Sequence, residues 1–308
     1  MTMRRMTISS GKPSPAIQLL LRFSRIVPLF VAGTLVAFEP AAYGQFTSGV
    51  NLVEVYATVT DRQGEPVTGL TADDFQVAED GFSQRITAFA AGEFPLAVAI
   101  GLDRSFSMGG TGNRLAVAKS AARTFIGALR PEDQVMVVAI GSETDVAAPL
   151  SSDRAVLLGA IDRLDAWGTT ALYDATRVAL DAIQAGKGRR ALVLLSDGTD
   201  RYSDTRAADL VERARRSDVL IYPIALGSAR PPVFAELAAA TGGRSFFVRE
   251  PRELATVVTT IARELRFQYL LGYMPSREPS TEPSWHAITV TVSRPGVVVR
   301  ARDGYAGR

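Results

Sequence analysis

Cysteine is absent from the 308 residues, and histidine occurs once, at His286. These scarcities exclude disulfide scaffolds, thiolate zinc sites, cysteine nucleophiles and multi-histidine metal centres. Any metal must therefore be held by oxygen. Lysine and arginine are interspersed with acids and form no long basic stripe, so a nucleic-acid footprint is not supported. No internal repeat is visible. What remains is an ordinary globular composition, 47% hydrophobic and 21% charged, long enough for one large domain and a smaller one.

The first 44 residues carry Arg4, Arg5, Lys12, Arg22 and Arg25 against the single acid Glu39. They include the apolar stretch 26–38 and end in Ala41-Ala42-Tyr43-Gly44. A positive start, an apolar span and small residues before a cut are the marks of a secretory signal peptide, with cleavage expected near Gly44. The alternative is an uncleaved anchor, but 13 residues interrupted by Pro28 fall short of the roughly 20 that span a bilayer. Cleavage removes five positive charges and one negative, taking the formal net charge from +2 to −2. The expected product is secreted or periplasmic, with no membrane insertion after cleavage. An exported protein without cysteine relies on its core rather than on disulfides.

From 45 to 92 the pattern is that of β-strands. Leu52 to Val59 alternates in part, Asp61-Arg62-Gln63-Gly64-Glu65-Pro66 forms a turn cluster, and two short strands flank Asp80-Gly81. From 93 to 267 strand and helix signals alternate. Apolar strands read at 96–102, 134–140, 190–197, 219–226 and 245–248; helices read at 113–129, 153–164, 171–185, 205–216 and 252–266, with one more beginning at Pro231-Pro232. This rhythm predicts an α/β domain, a doubly wound and mostly parallel sheet with helices on both faces. From 268 to 308 the pattern is β again. Neither flank can bury two faces alone, so the two are expected to pair into a smaller β-sandwich-like domain with the α/β domain inserted between them. Two separate β appendages are the competing arrangement.

Two of the apolar strands end in acids, at Asp103 and Asp197. If both are parallel and buried, these ends meet on the sheet edge where open α/β folds place their ligands. In Asp103-Arg104-Ser105-Phe106-Ser107, residues i, i+2 and i+4 can project to one side, Thr170 adds a hydroxyl from a second loop, and Asp197 adds a carboxylate from a third. A hard divalent cation such as Mg²⁺ wants six oxygens. Two carboxylates and three hydroxyls leave it incompletely neutralised and short of ligands, so a carboxylate from outside can complete its shell.

With these residues in place, the 94–267 region resembles a von Willebrand factor type A domain with a metal-ion-dependent adhesion site. The resemblance rests on Asp103, Ser105 and Ser107 for the DxSxS motif, on Thr170 preceding Ala171-Leu172, and on Asp197 of the strand-end Asp-Gly. It implies direct ligation by the two serines and the threonine, with the aspartates often acting through water. The implied ion is Mg²⁺, with Mn²⁺ or Ca²⁺ as substitutes, and the implied partner is a protein presenting a carboxylate. Residues 50–306 also resemble secreted bacterial VWFA-related domain proteins, through Val59-Thr60-Asp61-Arg62-Gln63-Gly64, Leu70-Thr71-Ala72-Asp73-Asp74-Phe75 and Tyr269-Leu270-Leu271-Gly272-Tyr273. That likeness implies no known reaction. Many members of the family have a small residue where this chain has Phe106, and Arg104 is also bulky, so the site's rim is expected to be shielded or shaped for an apolar contact.

Other residues draw milder readings. Asp200 and Asp204 are assigned to capping a helix that starts near Thr205, and Glu143 and Asp145 to a solvated loop. His286, beside Trp285, lacks a nucleophile motif such as G-x-S-x-G. Tyr269, Tyr273, Trp285 and Tyr305 are assigned to the core and rim of the β sandwich. The functional expectation is a non-enzymatic, metal-dependent binding module. Its alternatives are a structural part of an envelope or secreted assembly with a purely structural cation, and a metal-dependent hydrolase. Nothing in the sequence indicates the oligomeric state.

Overall fold

The computed structural model describes residues 52–307 apart from 111, 228–229 and 278–283. The segment read as a signal peptide, and the start of the first β flank, lie outside the described residues.

The N-terminal flank supplies β1 (Val53–Thr60), β2 (Phe75–Glu79), β3 (Phe82–Gln84) and β4 (Ile86–Gly92). The α/β region runs β5 (Leu96–Asp103), α1 (Phe106–Gly109), α2 (Arg114–Ala128), β6 (Gln134–Ile140), β7 (Asp145–Ser151), α3 (Arg154–Asp162), α4 (Leu172–Ala182) and β8 (Arg189–Ser196). It continues through α5 (Ala207–Arg215), β9 (Val219–Leu226), α6 (Pro232–Thr241), β10 (Phe246–Val248) and α7 (Glu253–Arg266). The C-terminal flank adds β11 (Gln268–Tyr273), β12 (Ser284–Val292), β13 (Val298–Arg300) and β14 (Gly304–Gly307).

β5 is buried at every position. Leu96, Val98, Ile100 and Leu102 join one core, while Ala97 and Ala99 join another, the two-residue period of a strand covered on both sides. α2, α3 and α7 cover the first face through Leu115, Phe125, Leu157, Ile161 and Val258. α4, α5 and α6 cover the second through Leu172, Ala179, Leu210 and Leu237. The sheet order is β10-β9-β8-β5-β6-β7, parallel throughout except for β7 against β6. The α/β expectation is thus met. β7 is an addition to it: Asp145 and Pro149 make the segment read as loop, yet both suit an antiparallel edge strand.

Each of the other two sheets draws strands from both flanks. One has the order β13-β1-β11-β4 and the other β14-β12-β2-β3, and all pairs are antiparallel. Val55, Val59, Phe75, Val77, Leu271 and Tyr273 form a third core between them. Phe75, Phe89 and Tyr269 cluster there with ring centroids 5.0–6.0 Å apart. The chain leaves this layer through β4 and returns through β11, and these two strands pair directly, Gly92 opposite Gln268. Glu264 of α7, fully buried, joins the layers by accepting from Arg300 of β13 at 2.5 Å and from Arg244 at 3.2 Å.

Candidate metal centre and its aromatic rim

In the central sheet, strand order reverses beside β5. Connections from β5 run to β6 on one side, and the chain later returns to place β8 on the other. A crevice therefore opens at the carboxyl ends of β5 and β8, the topological switch point of an open α/β sheet. β5 ends in Asp103, and β8 ends in Ser196 followed by Asp197.

The Asp103 carboxylate is fully buried. One oxygen accepts from the Ser105 backbone N–H at 2.9 Å, and the other from the Ser196 hydroxyl at 2.6 Å. Ser196 in turn accepts from the Gly198 N–H at 2.9 Å, which fixes the turn carrying Asp197. Burial pushes the Asp103 carboxyl above the usual range, the hydrogen bonds from Ser196 and Ser105 oppose this, and the nearby charge of Asp197 pushes it further up. Neither aspartate forms an ion pair among the described residues. The hydroxyls of Ser105 and Ser107 lie 3.0 Å apart.

The loop bearing Thr170 is stitched to both others through its backbone. Trp167 N–H donates to the Arg104 carbonyl at 2.7 Å, and Phe106 N–H to the Gly168 carbonyl at 3.0 Å. Arg201 and Tyr202 N–H groups donate to the Thr170 carbonyl at 2.9 and 3.3 Å. Gly168 has φ 78°, and a Cβ there would stand 2.5 Å from Ser142 Oγ. That hydroxyl accepts from Thr169 N–H at 2.9 Å, so the glycine lets Ser142 anchor the loop. Thr170 itself is 2% exposed.

Asp103, Ser105 and Ser107 thus share one loop, the Ser196–Asp197 turn touches it, and the Thr170 loop is tied to both. The donor set is oxygen only, its buried carboxylate lacks a positive partner among the described residues, and its paired hydroxyls are neutral. These are the features a hard divalent cation fits.

Sequence reasoning missed Ser196, since nothing marks one strand-end serine among many. Of the rim it anticipated Phe106 and Arg104 but missed two further aromatics. Phe106, Trp167 and Tyr202 are 64%, 53% and 66% exposed, one on each of the three loops. Arg104 lies over the Trp167 ring at 5.6 Å. The capping assignment of Asp200 and Asp204 is corrected: α5 begins after Arg206 without a side-chain cap, and Asp200 accepts from Tyr173 N–H at 3.2 Å and from Ser203 Oγ at 2.6 Å, so it serves the start of α4. Asp174 returns the favour by accepting from the N–H groups of Asp204 and Thr205. The loop between β8 and α5 and the start of α4 cap one another because each presents free N–H groups where the other has a short acid.

A second group, Glu79, Asp80 and His286, brings potential donor atoms within 4.8 Å of one another. Their bonding capacity is already committed to the protein. Glu79 accepts from Tyr273, Tyr305 and Arg277. His286 sits between Asp80 at 2.7 Å and Ser284 at 2.5 Å, and so fastens the β2–β3 turn to β12.

Residues 98–199 match the family model described as the von Willebrand factor type A domain. A von Willebrand factor type A structure from Catenulispora acidiphila superposes with a TM-score of 0.52 at 16% identity, covering 82% of this chain and 73% of that one. Proximal thread matrix protein 1 from the mussel byssus gives a TM-score of 0.51 at 16% identity, covering 61% and 49%. An uncharacterized protein of Borreliella burgdorferi is 28% identical over 140 residues, which are 43% of this chain and 41% of that protein. The chain therefore matches about two fifths of that relative's length. The structural likenesses carry the fold alone, and with the family match they lead to one statement: this chain contains a von Willebrand factor type A domain.

Proposed function

We propose that the domain is a metal-dependent protein-binding module of the adhesion type. Asp103, Ser105, Ser107, Thr170 and Asp197 would hold Mg²⁺, or Mn²⁺ or Ca²⁺ in its place. When bound, the cation supplies a Lewis-acidic position that a partner's carboxylate can occupy. The observation that carries this reading is the buried Asp103 carboxylate at the switch point, beside Asp197 and two paired hydroxyls, with no basic side chain among the described residues bonded to it. Ser196 and the Ser105 N–H hold this carboxylate in one orientation, and the stitched backbones keep Thr170 in register with it.

The aromatic rim narrows the kind of partner. Large exposed aromatics ringing a small polar centre are what hot spots of interfaces are made of. The partner's acidic residue would be flanked by apolar side chains packing on Phe106, Trp167 and Tyr202. This is recognition rather than catalysis. Among the described residues no helix is long and apolar enough to cross a membrane; the charged and apolar pattern of residues 1–44 supports an exported module.

Isothermal titration of the purified protein with Mn²⁺ tests the reading. Wild type is expected to bind one ion at the site, and Asp103→Ala and Asp197→Ala to lose that binding. Equal heats in all three proteins would overturn it.

A further inference from the structure

At the end of β8 opposite the candidate metal centre lies a cavity of about 910 Å³, within the size range of small-molecule sites. Its walls come from the starts of β1, β8 and β9, the end of α5, and the segments around β11 and β14. Six arginines line it against two acidic residues, Glu54 and Asp218.

Four of the six have acidic partners: Arg190 with Asp218, Arg213 with Asp181, Arg216 with Glu212 and Arg277 with Glu79. Arg302 and Arg189 pair with no carboxylate among the described residues. Arg302 donates to the Glu54 main-chain carbonyl at 2.9 Å. Arg189 donates to the carbonyls of Leu265 and Phe94 and to the Gln268 side chain. In both residues Nε is buried and has no acceptor among the described residues. Burial holds both guanidiniums below the ordinary arginine range, Arg189 at about 10; an arginine side chain in a protein stays charged at neutral pH. The rings of Tyr56 and Phe94 near Arg189, and of Tyr305 near Arg302, compensate that charge only in part.

A buried cation without an ion-pair partner is costly: Arg189 is almost fully buried, and Arg302, partly buried, borders the same cavity without a carboxylate bonded to it among the described residues. The remaining wall is apolar, with Leu52, Leu220 and Met274 among its residues. We propose that the cavity binds an amphiphilic organic anion, its carboxylate or phosphate head meeting the guanidinium of Arg302 with Arg189 adding to the field, and its apolar body against Tyr56, Leu220 and Met274. This site is independent of the metal centre.

Isothermal titration of the full chain with decanoate, octyl phosphate and decanol tests the proposal. At least one of the two anions is expected to bind saturably at one site, while decanol does not. Binding of one anion without the other identifies the head as carboxylate or phosphate. Arg302→Gln is expected to weaken binding at least tenfold with its melting curve still cooperative, whereas Asp103→Ala leaves it unchanged. Met274→Glu, at a half-exposed position on the wall, brings a like charge to the ligand without disturbing the core and is expected to weaken binding as well. The absence of saturable binding by either anion, decanol binding as tightly as the anions, or wild-type affinity in both cavity variants would overturn the proposal.

Discussion

Ser196 is the residue on which the geometry of the switch-point crevice turns, because one hydroxyl donates to Asp103 and accepts from Gly198 across two strands. Ser196→Ala leaves a buried carboxylate oxygen short of a donor, which costs about 1–3 kcal/mol. Urea denaturation is expected to show this as a lower midpoint at unchanged slope; an unaltered midpoint would mean the hydroxyl is dispensable. Glu79 and Asp80 give a pH prediction. Burial works to raise the Glu79 carboxyl, but donors from Tyr273, Arg277 and Tyr305 outweigh it and hold it below the usual range. The hydrogen bond from His286 chiefly holds Asp80 low as well. A depressed carboxylate stabilises fully above the ordinary range near about 4, and that stabilisation is lost as pH falls through the folded-state value. Acid unfolding followed by circular dichroism should be shallower in Glu79→Gln than in wild type, and the variant less stable at neutral pH by about 2 kcal/mol. The five candidate ligands could be read from the chain because type and spacing carry them. Trp167 and Tyr202 could not, since their exposure beside Phe106 depends on backbone bonds between loops distant in sequence.

At the scale of elements, α6 shows how closely the layers are fitted. Its helix ends at Gly242, φ 79°, where a Cβ would stand 2.5 Å from the Ala301 backbone. Gly242→Ala combines a left-handed backbone penalty of about 1 kcal/mol with a clash that no side chain can relieve. Chemical denaturation should show a loss of at least about 2 kcal/mol, and a neutral result would mean that β13–β14 and α6 are not in close contact. The central strands and most helices were legible because their periodicity and burial agree. β7 was not, because an edge strand needs neither a continuous apolar run nor the absence of proline. The reassignment of Asp200 has a similar cause: sequence proximity favours the next helix, while the fold brings α4 nearer.

For the whole molecule, cation binding and stability are linked. If the switch-point site takes Mg²⁺, a concentration about 100 times the dissociation constant adds about 2.7 kcal/mol, read as a rise in Tm that Asp103→Ala abolishes and that chelation reverses. Calorimetry with and without Mg²⁺ measures it, and identical Tm values would sink the coupling. The two-flank architecture was readable from a counting argument, that too few strands on either side can close a core, whereas their interleaved order within each sheet was not, since antiparallel strands of similar composition are interchangeable on paper. The pairing of Gly92 with Gln268 has a further consequence. Neighbouring strands sit about 5 Å apart, so everything between those two residues hangs from a doorway one hairpin wide. Such a region is an insertion whose ends the receiving frame holds through its own ladder, and a replacement would need closely spaced ends together with a surface that meets Arg300 and Ala301 as Glu264 and Gly242 do.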